Sequence, residues 1–203
     1  MSELEHALRT TGAGSDASQA ANQGFQERAS GEGLVDIAFI TYHSPLGAML
    51  LAATPRGLLR VAYHDQEAEM VLQDLAERVS PRILEMPSRL DEVRRQLDEY
   101  FAGGRRRFDL PLDWDLVEGF HRGVLQATAR VPFGEVTSYR QVAAEAGSPR
   151  GARAAGNALG ANPIPVVVPC HRVVRSGGAL GGYTGGIERK QFLLDLEGVT
   201  LPT

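Results

Sequence analysis

Three apolar, β-prone runs follow one another early in the chain, over residues 35–42, 47–54 and 57–64. Short turn segments containing Pro45 and Gly57 separate these runs. Runs of this length, bounded by proline and glycine, are typical of strands joined by tight turns. The pattern therefore predicts an antiparallel meander of three strands.

Apolar residues with helical spacing follow the meander, over residues 67–79 and 88–102. The second of these helices has Ser88 at its start, where a serine side chain can cap free backbone N–H groups. A short run after a Gly-Gly pair predicts an edge strand over residues 105–110. Together these elements predict a small α+β domain that spans residues 34–114.

A helical pattern begins after this domain, with an amphipathic stripe over residues 115–129. The next helix is predicted over residues 137–146, with Thr137 or Ser138 as its cap. A Gly-Ser-Pro turn then leads to another helix over residues 150–161. Two helices joined by a short glycine-containing turn form the helix-turn-helix pattern, which is common in DNA-binding proteins and also occurs in many other helical proteins.

The two ends of the chain differ in pattern. Residues 187–197 predict a terminal helix with Phe192, Leu193 and Leu196 facing inward, which completes a second domain over residues 115–203. Residues 1–33 are rich in Gly, Ala, Ser and Gln and show no sustained periodicity. We expect them to form a disordered tail, with one helical turn over residues 4–9.

Composition excludes several classes of protein. The longest apolar run, residues 48–53, is far shorter than the roughly 20 residues that a membrane-spanning helix needs. The N-terminus is acidic and lacks the apolar stretch of a secretory signal. One cysteine allows neither an intrachain disulfide nor a cysteine-rich zinc cluster. A free thiol fits a reducing compartment, so we expect a cytoplasmic protein.

Charge is distributed unevenly between the two halves. The net charge of −4 is unlike that of a typical nucleic-acid-binding protein. Residues 1–114 carry 12 Lys and Arg against 18 Asp and Glu, whereas residues 115–203 carry 9 against 7. The second half is therefore slightly basic, which permits modest contact with phosphate groups.

The helix predicted over residues 150–161 carries small side chains almost all round. Such a helix cannot read base edges in the major groove, but it can press into the minor groove, where Arg153 could insert into the base stack. Small residues also allow close helix packing, so the pattern alone leaves both interpretations open. The residues predicted to form the DNA-binding face are Gly151, Ala152, Arg153, Ala154 and Gly156.

The single cysteine, Cys170, precedes His171 and follows a segment stiffened by Pro163, Pro165 and Pro169. A lone cysteine is most often a small buried apolar residue. Here the prolines fix φ and remove backbone donors, which suits a segment that aims a side chain. An adjacent imidazole can help to form the nucleophilic thiolate, although a turn or a bridging water would be needed to couple neighbouring side chains.

Three Gly-Gly pairs follow the cysteine, at residues 177–178, 181–182 and 185–186, with Tyr183 and Thr184 between the last two. Their spacing matches neither the dinucleotide-binding fingerprint nor the phosphate-binding P-loop. We expect a mobile loop that closes over a pocket for a small molecule.

Several of these segments together resemble the O6-alkylguanine-DNA alkyltransferases, DNA repair proteins also called methylated-DNA–protein-cysteine methyltransferases. The matching segments are Val131-Pro132-Phe133-Gly134, Ser138-Tyr139, Arg153, Gly160-Ala161-Asn162-Pro163, Pro169-Cys170-His171-Arg172-Val173 and Tyr183-Thr184-Gly185-Gly186. The match covers residues 115–199, and the N-terminal half resembles the family's ribonuclease H-like domain in coarse pattern. The resemblance implies an α+β fold, with a ribonuclease H-like α/β domain followed by a mainly helical, winged-helix-like domain.

The resemblance also implies a catalytic role for five residues. Cys170 aligns with the alkyl-accepting cysteine, and His171 aligns with the histidine that deprotonates it through a water. Glu197 aligns with the glutamate that orients this histidine. Asn162 aligns with the asparagine that braces the turn before the cysteine, and Tyr139 with the tyrosine that assists nucleotide rotation and stabilises the guanine leaving group.

Binding roles follow from the same resemblance. Arg153 resembles the arginine finger that fills the place of the extruded nucleotide. The residues implied to form the alkyl pocket are Pro165, Val168, Tyr183, Thr184 and Gly185. Some relatives bind zinc through N-terminal cysteines, which this chain lacks, so we expect no metal and no cofactor. The implied partner is double-stranded DNA containing O6-alkylguanine, bound through the minor groove by a monomer.

The activity implied is stoichiometric transfer of an alkyl group from O6-alkylguanine to Cys170, with O4-alkylthymine as a further candidate substrate. Two alternatives remain open. The chain could bind lesions without reacting, as alkyltransferase-like proteins do, but these proteins replace the cysteine. It could also be a thiol hydrolase, although neither the adjacent Cys-His order nor the absence of a recognisable oxyanion-hole motif favours one.

Overall fold

The predicted meander forms the centre of the N-terminal half. In the computed structural model, which describes residues 33–201, strands β1 (Ile37–Ser44), β2 (Gly47–Thr54) and β3 (Gly57–Tyr63) pair in antiparallel order. The first turn between strands holds Gly47 at a φ of 98°, a conformation that favours glycine. The meander is therefore confirmed, whereas almost all of the tail expected over residues 1–33, including the helical turn at residues 4–9, lies outside the described residues.

A fourth strand joins the sheet where the sequence predicts none. Strand β4 (Ile83–Glu85) pairs in parallel with β1, so the strand order is β3-β2-β1-β4. With three residues, β4 is too short to show alternation in the sequence. The sheet is thus mixed rather than purely antiparallel.

The edge strand predicted over residues 105–110 is wrong. The side chain of Gln96 binds the backbone of Asp109, accepting from its N–H at 2.8 Å and donating to its C=O at 3.4 Å. These backbone groups are therefore occupied by a side chain instead of a neighbouring strand. The contact with the sheet comes later, where Leu112 forms an isolated parallel bridge with Leu58.

Two helices complete the N-terminal half. Helix α1 (Ala68–Arg78) lies within the predicted range, and it packs Val71 and Leu75 into the core against Ile37, Leu50 and Leu59. The second helix differs at its start: a 3-10 turn (Pro87–Leu90) precedes helix α2 (Asp91–Phe101). Ser88 therefore lies inside the 3-10 turn, and the predicted serine cap is wrong.

The C-terminal half is mainly helical. Helix α3 (Gly119–Thr128) begins four residues later than predicted, because residues 114–117 form a turn, closed by a 3.0 Å bond from the Val117 N–H to the Trp114 carbonyl, and Glu118 is extended. Helix α4 (Tyr139–Glu145) begins at the predicted Ser138 cap, where Ser138 and Gln141 form a reciprocal capping box. Helix α5 (Ala152–Gly160) follows and packs against both α3 and α4.

Two short strands and a terminal helix surround the cysteine segment. Strand β5 (Thr137–Ser138) pairs in parallel with β6 (Val173–Val174), which directly follows the cysteine turn. Helix α6 (Ile187–Leu196) buries Lys190, Leu193 and Leu194. The prediction that Phe192 faces inward is wrong, since this side chain is 38% exposed, and Leu194 occupies the inward position instead.

Contacts between the two halves bring residues from Ile37 onward into one compact unit. Among residues 33–201, no helix is long and apolar enough to cross a membrane. Two tyrosine hydroxyl groups of the N-terminal half reach residues of the C-terminal half: that of Tyr63 contacts Tyr183, and that of Tyr100 contacts Glu197.

Candidate active site around Cys170

The segment before Cys170 is a tight, buried turn. Val166 has a φ of 72°, which is an uncommon and strained value for a β-branched residue. At Pro169 (φ −81°, ψ 63°) the chain makes an inverse γ-turn, closed by a 2.8 Å bond from the Cys170 N–H to the Val168 carbonyl. Cys170 then opens a 3-10 turn (Cys170–Arg172), so Cys170 and His171 lie in a turn, which is one of the two arrangements expected to be needed for coupling their side chains.

Asn162 holds this turn together and also touches the sulfur. Its side-chain oxygen accepts from the Ile164 N–H at 3.0 Å, and its Nδ2 donates to the Val168 carbonyl at 2.9 Å. The same Nδ2 lies 3.1 Å from Cys170 Sγ, close enough to donate a hydrogen bond to it. Asn162 therefore contacts the Cys170 sulfur in addition to bracing the turn.

Cys170 is 4% exposed and is the free cysteine of the chain. Burial raises the pKa of its thiol to about 11, while the Asn162 hydrogen bond and the positive charge of Lys190 act in the opposite direction. A thiol with a raised pKa is mostly protonated at neutral pH, so a nearby base is needed to form the thiolate.

His171 is completely buried and its Nε2 lies 2.9 Å from Glu197 Oε1. Burial lowers the pKa of the imidazole, and the hydrogen bond with Glu197 partly opposes this effect. Its other nitrogen, Nδ1, is buried without a hydrogen-bond partner in the described part of the chain. With Glu197 accepting from Nε2–H, the neutral ring keeps a free lone pair on Nδ1, which is the arrangement of a general base.

Glu197 is the centre of a larger buried network. Oε1 also accepts from the Tyr100 hydroxyl at 2.6 Å and from Arg172 Nη2 at 2.8 Å. Oε2 accepts from Arg172 Nε at 2.9 Å and from the Gly134 N–H at 3.3 Å. Burial alone would raise the pKa of Glu197, but the hydrogen bonds from His171 and Arg172 outweigh it and lower the pKa to about 2.

Two members of this network carried no role in the sequence analysis. Arg172 lies inside the Pro-Cys-His-Arg-Val segment, and a buried arginine beside a glutamate could have been anticipated there. Tyr100 lies 97 residues before Glu197, and no local pattern connects the two. Both keep Glu197 charged in the protein interior.

Lys190 is a third unanticipated member of the site. Its side chain is fully buried, and its Nζ donates to the carbonyls of Val173 (2.6 Å), Leu180 and Gly182 (3.3 Å). Burial lowers the pKa of Lys190 to about 8, while the Cys170 sulfur acts to raise it. The lysine thus ties the glycine-rich loop to β6 and places a positive charge near the sulfur. A lysine on the inward stripe of α6 was the pattern that could have indicated it.

A cavity of about 700 Å³ opens beside Cys170. Helix α5, the loop after β6 and the glycine-rich segment form its walls. Its lining residues are Tyr139, Ala152, Arg153, Gly156, Leu159, Gly160, Cys170, Arg175, Ser176, Gly182, Tyr183 and Thr184. Of the predicted site residues, seven therefore meet at one cavity: Cys170, Tyr139, Ala152, Arg153, Gly156, Tyr183 and Thr184.

Five other predicted residues lie elsewhere. Val168 is fully buried and offers its carbonyl to Asn162, and Pro165 borders a second cavity of about 650 Å³ that shares Gly160 and Thr184 with the first. Gly185 packs against the ring of Tyr63. Of the predicted DNA-binding residues, Ala154 is exposed on α5, and Gly151 immediately precedes that helix.

Tyr139 stands between α5 and the glycine-rich loop. Its hydroxyl lies 3.4 Å from the Gly182 carbonyl, and burial raises the pKa of the phenol. A Cβ at Gly181 would lie 2.6 Å from the Tyr139 oxygen, and one at Gly156 would lie 3.8 Å from its ring. The lack of a side chain at Gly181 therefore leaves the space that the phenol occupies.

The exposed residues of α5 are mostly small, apart from Arg153 and Asn157. Arg153 and Ala154 are exposed near its start, and Arg153 also borders the cavity. Arg175, which was not anticipated, is a second exposed arginine at the cavity. The cavity therefore has two guanidinium groups at its walls and a buried sulfur inside.

Comparison with known proteins agrees with this geometry. Residues 37–114 match the family described as 6-O-methylguanine DNA methyltransferase, ribonuclease-like domain, and residues 119–199 match the DNA-binding domain of the same enzyme. The two matches together cover most of the chain, including every residue of the cluster around Glu197.

Relatives and solved structures give the same result. A methylated-DNA–protein-cysteine methyltransferase of Methanosarcina acetivorans is 36% identical over 160 residues, covering 79% of this chain and 97% of the relative. The relative of the same name from Mycolicibacterium paratuberculosis is 40% identical over 161 residues, or 79% and 92% of the two chains. A crystal structure of Mycobacterium tuberculosis OGT in complex with DNA has a TM-score of 0.67 and 37% identity, covering 79% of this chain and 92% of that one. The chain belongs to the 6-O-methylguanine-DNA methyltransferase family, whose curated members are named methylated-DNA–protein-cysteine methyltransferases.

Proposed function

We propose that the protein repairs DNA directly, by moving the alkyl group of O6-alkylguanine onto its own Cys170. The observation that carries the proposal is the arrangement of one buried sulfur at the wall of a cavity, backed by the His171–Glu197 pair and bordered by two arginines. O4-alkylthymine is a further candidate substrate of the same chemistry.

The reaction is a displacement at the alkyl carbon. The Sγ–C bond forms while the C–O6 bond breaks, and the electron pair of that bond remains on the guanine. His171 takes up the proton that leaves the sulfur. A proton is also delivered to the guanine as it departs, so the net proton transfer is from the thiol to the guanine. The Tyr139 hydroxyl at the cavity wall is the group that we assign to stabilise the departing guanine.

His171 acts as the base and Glu197 holds it in place. The buried Nδ1 is the nitrogen with a free lone pair. We assign to it the binding of a water that relays the proton from Cys170 to the imidazole. Asn162 and Lys190 stabilise the negative sulfur, since one donates a hydrogen bond and the other supplies positive charge. The thioether formed is too stable to hydrolyse, so each molecule reacts once.

Double-stranded DNA is the partner, and α5 enters its minor groove. The target atom lies inside the base stack, so the nucleotide has to rotate out, at a cost of about a few kcal/mol. Arg153, exposed beside the cavity, fills the place that the nucleotide leaves. Gly151, Ala152, Ala154 and Gly156 let the helix approach the groove closely.

We further propose that the protein works as a monomer in the cytoplasm, where a free thiol stays reduced. The chain divides into an N-terminal domain over residues 34–114 and an alkyltransferase domain over residues 115–203. The separate family matches at 37–114 and 119–199 support this division.

The test is the stoichiometry of repair. The protein is mixed with a large excess of duplex that contains O6-methylguanine, and restored guanine is counted against protein. The proposal expects repair to stop at one guanine per chain. Continuous turnover would rule the proposal out, tight lesion binding with no restored guanine would favour a non-catalytic binder, and sustained ester or amide turnover would favour a thiol hydrolase.

A further inference from the structure

We propose that Tyr63 is a positioning residue that holds the ring of Tyr183 in place and thereby sets which O6-alkyl groups the cavity accepts. This inference rests on the proposed transfer reaction. Tyr63 ends strand β3 in the N-terminal half, more than a hundred residues before Cys170, and it does not line the cavity itself.

The two tyrosines meet through their hydroxyl groups. Tyr63 is 1% exposed, and its hydroxyl oxygen lies 2.7 Å from that of Tyr183. The rings meet edge to face, with centroids 6.4 Å apart at an angle of 61°. Burial raises the pKa of both phenols, so both stay neutral, and one donates a hydrogen bond that the other accepts. A buried hydroxyl that loses its partner is destabilised, so each ring holds the other in this orientation.

Tyr63 is itself held rigidly. The guanidinium carbon of Arg189 lies 4.4 Å from the centroid of the Tyr63 ring. Arg189 in turn donates to an Asp65 carboxylate oxygen and to the Gly185 carbonyl, both at 2.8 Å. A Cβ at Gly185 would lie 2.5 Å from a Tyr63 ring carbon, so glycine at this position leaves room for the ring. The position of the Tyr63 ring is therefore fixed by contacts other than that with Tyr183, so Tyr63 holds Tyr183 in place and not the reverse.

Tyr183 carries the effect to the reaction centre. It lines the cavity together with Cys170, and its ring meets the His171 ring edge to face at 6.4 Å and 82°. The next residue, Thr184, fixes the backbone by donating from Oγ1 to the carbonyls of Gly160 at 3.0 Å and Leu159 at 3.2 Å. With this backbone anchored, the contact with Tyr63 determines where the Tyr183 ring lies and how wide the cavity is.

The test is Tyr63→Phe, which removes one oxygen and keeps the ring. Transfer rates to Cys170 are measured with duplexes that carry O6-methylguanine or O6-benzylguanine. Loss of one buried hydrogen bond corresponds to about a three- to tenfold change in the transfer rate. We expect the methyl rate to fall by this factor and the benzyl rate to fall less, because a small group depends more on a closely placed wall. An unchanged ratio of the two rates would overturn the inference.

A double-mutant cycle separates positioning from general loss of stability. If Tyr63 acts through Tyr183, the double variant Tyr63→Phe/Tyr183→Phe should react no more slowly than Tyr183→Phe alone. If the rate losses of the two single variants multiply in the double variant, Tyr63 acts independently of Tyr183 and the inference is overturned. The matched control is Tyr42→Phe, which removes another buried tyrosine hydroxyl of the same sheet, bonded to Asp98 at 2.7 Å, and should leave the rate ratio unchanged.

The wild-type protein distinguishes this inference from the proposed function. If wild type forms no S-alkyl product on Cys170 with either duplex, the proposed function fails and the inference fails with it. If wild type reacts with both and Tyr63→Phe keeps the wild-type ratio, the inference alone fails.

Discussion

The buried network around Glu197 includes His171, the neighbour of Cys170, and helix α5 lines the same cavity as Cys170, but the two regions are built in opposite ways. Each oxygen of Glu197 accepts at least two hydrogen bonds, and the partners come from both halves of the chain. Helix α5 instead presents mostly glycine and alanine, with Arg153 and Asn157 as its larger exposed side chains. A proton-transfer group has to be held in one orientation, whereas a surface that approaches a DNA groove needs to be free of bulk.

This contrast predicts that substitutions in the buried network affect both stability and chemistry, and that substitutions on α5 affect only the reaction with duplex DNA.

Cys170→Ala should abolish alkyl transfer and leave duplex binding within a few-fold of wild type, because the sulfur is buried and the binding face is exposed. Transfer is measured as restored guanine, and binding by a gel-shift titration. Loss of binding together with loss of transfer would mean that the cysteine supports the fold and would remove the distinction between the two regions.

Glu197→Gln should lower the transfer rate by about 10²- to 10⁴-fold, because the amide no longer holds His171 in the tautomer with a free Nδ1. The same change leaves Arg172 buried without its carboxylate, which should lower the free energy of unfolding by about 3–5 kcal/mol. Single-turnover kinetics and urea unfolding measure the two effects. A variant that unfolds earlier but reacts at the wild-type rate would assign Glu197 a purely structural role.

Acid should remove the stabilisation that Glu197 supplies. Its pKa in the folded protein is about 2, below the ordinary value of 4.5, so the stabilisation is complete above the ordinary pKa and is lost as the pH falls toward 2. Between about pH 5 and pH 3, wild type should lose about 2 kcal/mol more unfolding free energy than Glu197→Gln. Parallel losses in the two proteins, measured by urea unfolding at each pH, would contradict the low pKa.

Arg153→Ala should slow the reaction with O6-methylguanine duplex by about tenfold, the equivalent of about 1.4 kcal/mol, and should leave the reaction with free O6-alkylguanine base unchanged. The free base needs no extrusion from a stack, so the arginine has nothing to replace there. Arg122→Ala, an exposed arginine of α3 that does not line the cavity, is the matched control. Equal slowing with the duplex and with the free base would mean that Arg153 acts on the transfer step itself and not on nucleotide extrusion.

Elements with strong local patterns could be predicted from the sequence. The three-strand meander and the Ser138 cap depend on residues close together in the chain, and both are confirmed. Strand β4 is three residues long and has no recognisable period. The strand expected at residues 105–110 does not form, because the side chain of Gln96 hydrogen-bonds the backbone N–H and C=O of Asp109.

The residues of the site could likewise be predicted where they lie close together in the chain. Cys170, His171 and Asn162 lie within ten residues of one another, and their motif indicates them directly. Tyr100 and Tyr63 reach the site only through tertiary contacts of the N-terminal half, at 97 and 120 residues from their partners. The position of Lys190 on the inward stripe of α6 indicates that it is buried, but its partners could not be predicted, because its ammonium group binds backbone carbonyls, which any sequence could provide.

The most direct test of the account is mass analysis of the wild-type protein after exhaustive repair of O6-methylguanine duplex. The account predicts that every reacted chain gains the mass of one methylene unit and that peptide mapping places it on Cys170. Protein that repairs the duplex yet keeps its original mass, or that carries the methyl group on another residue, would contradict it.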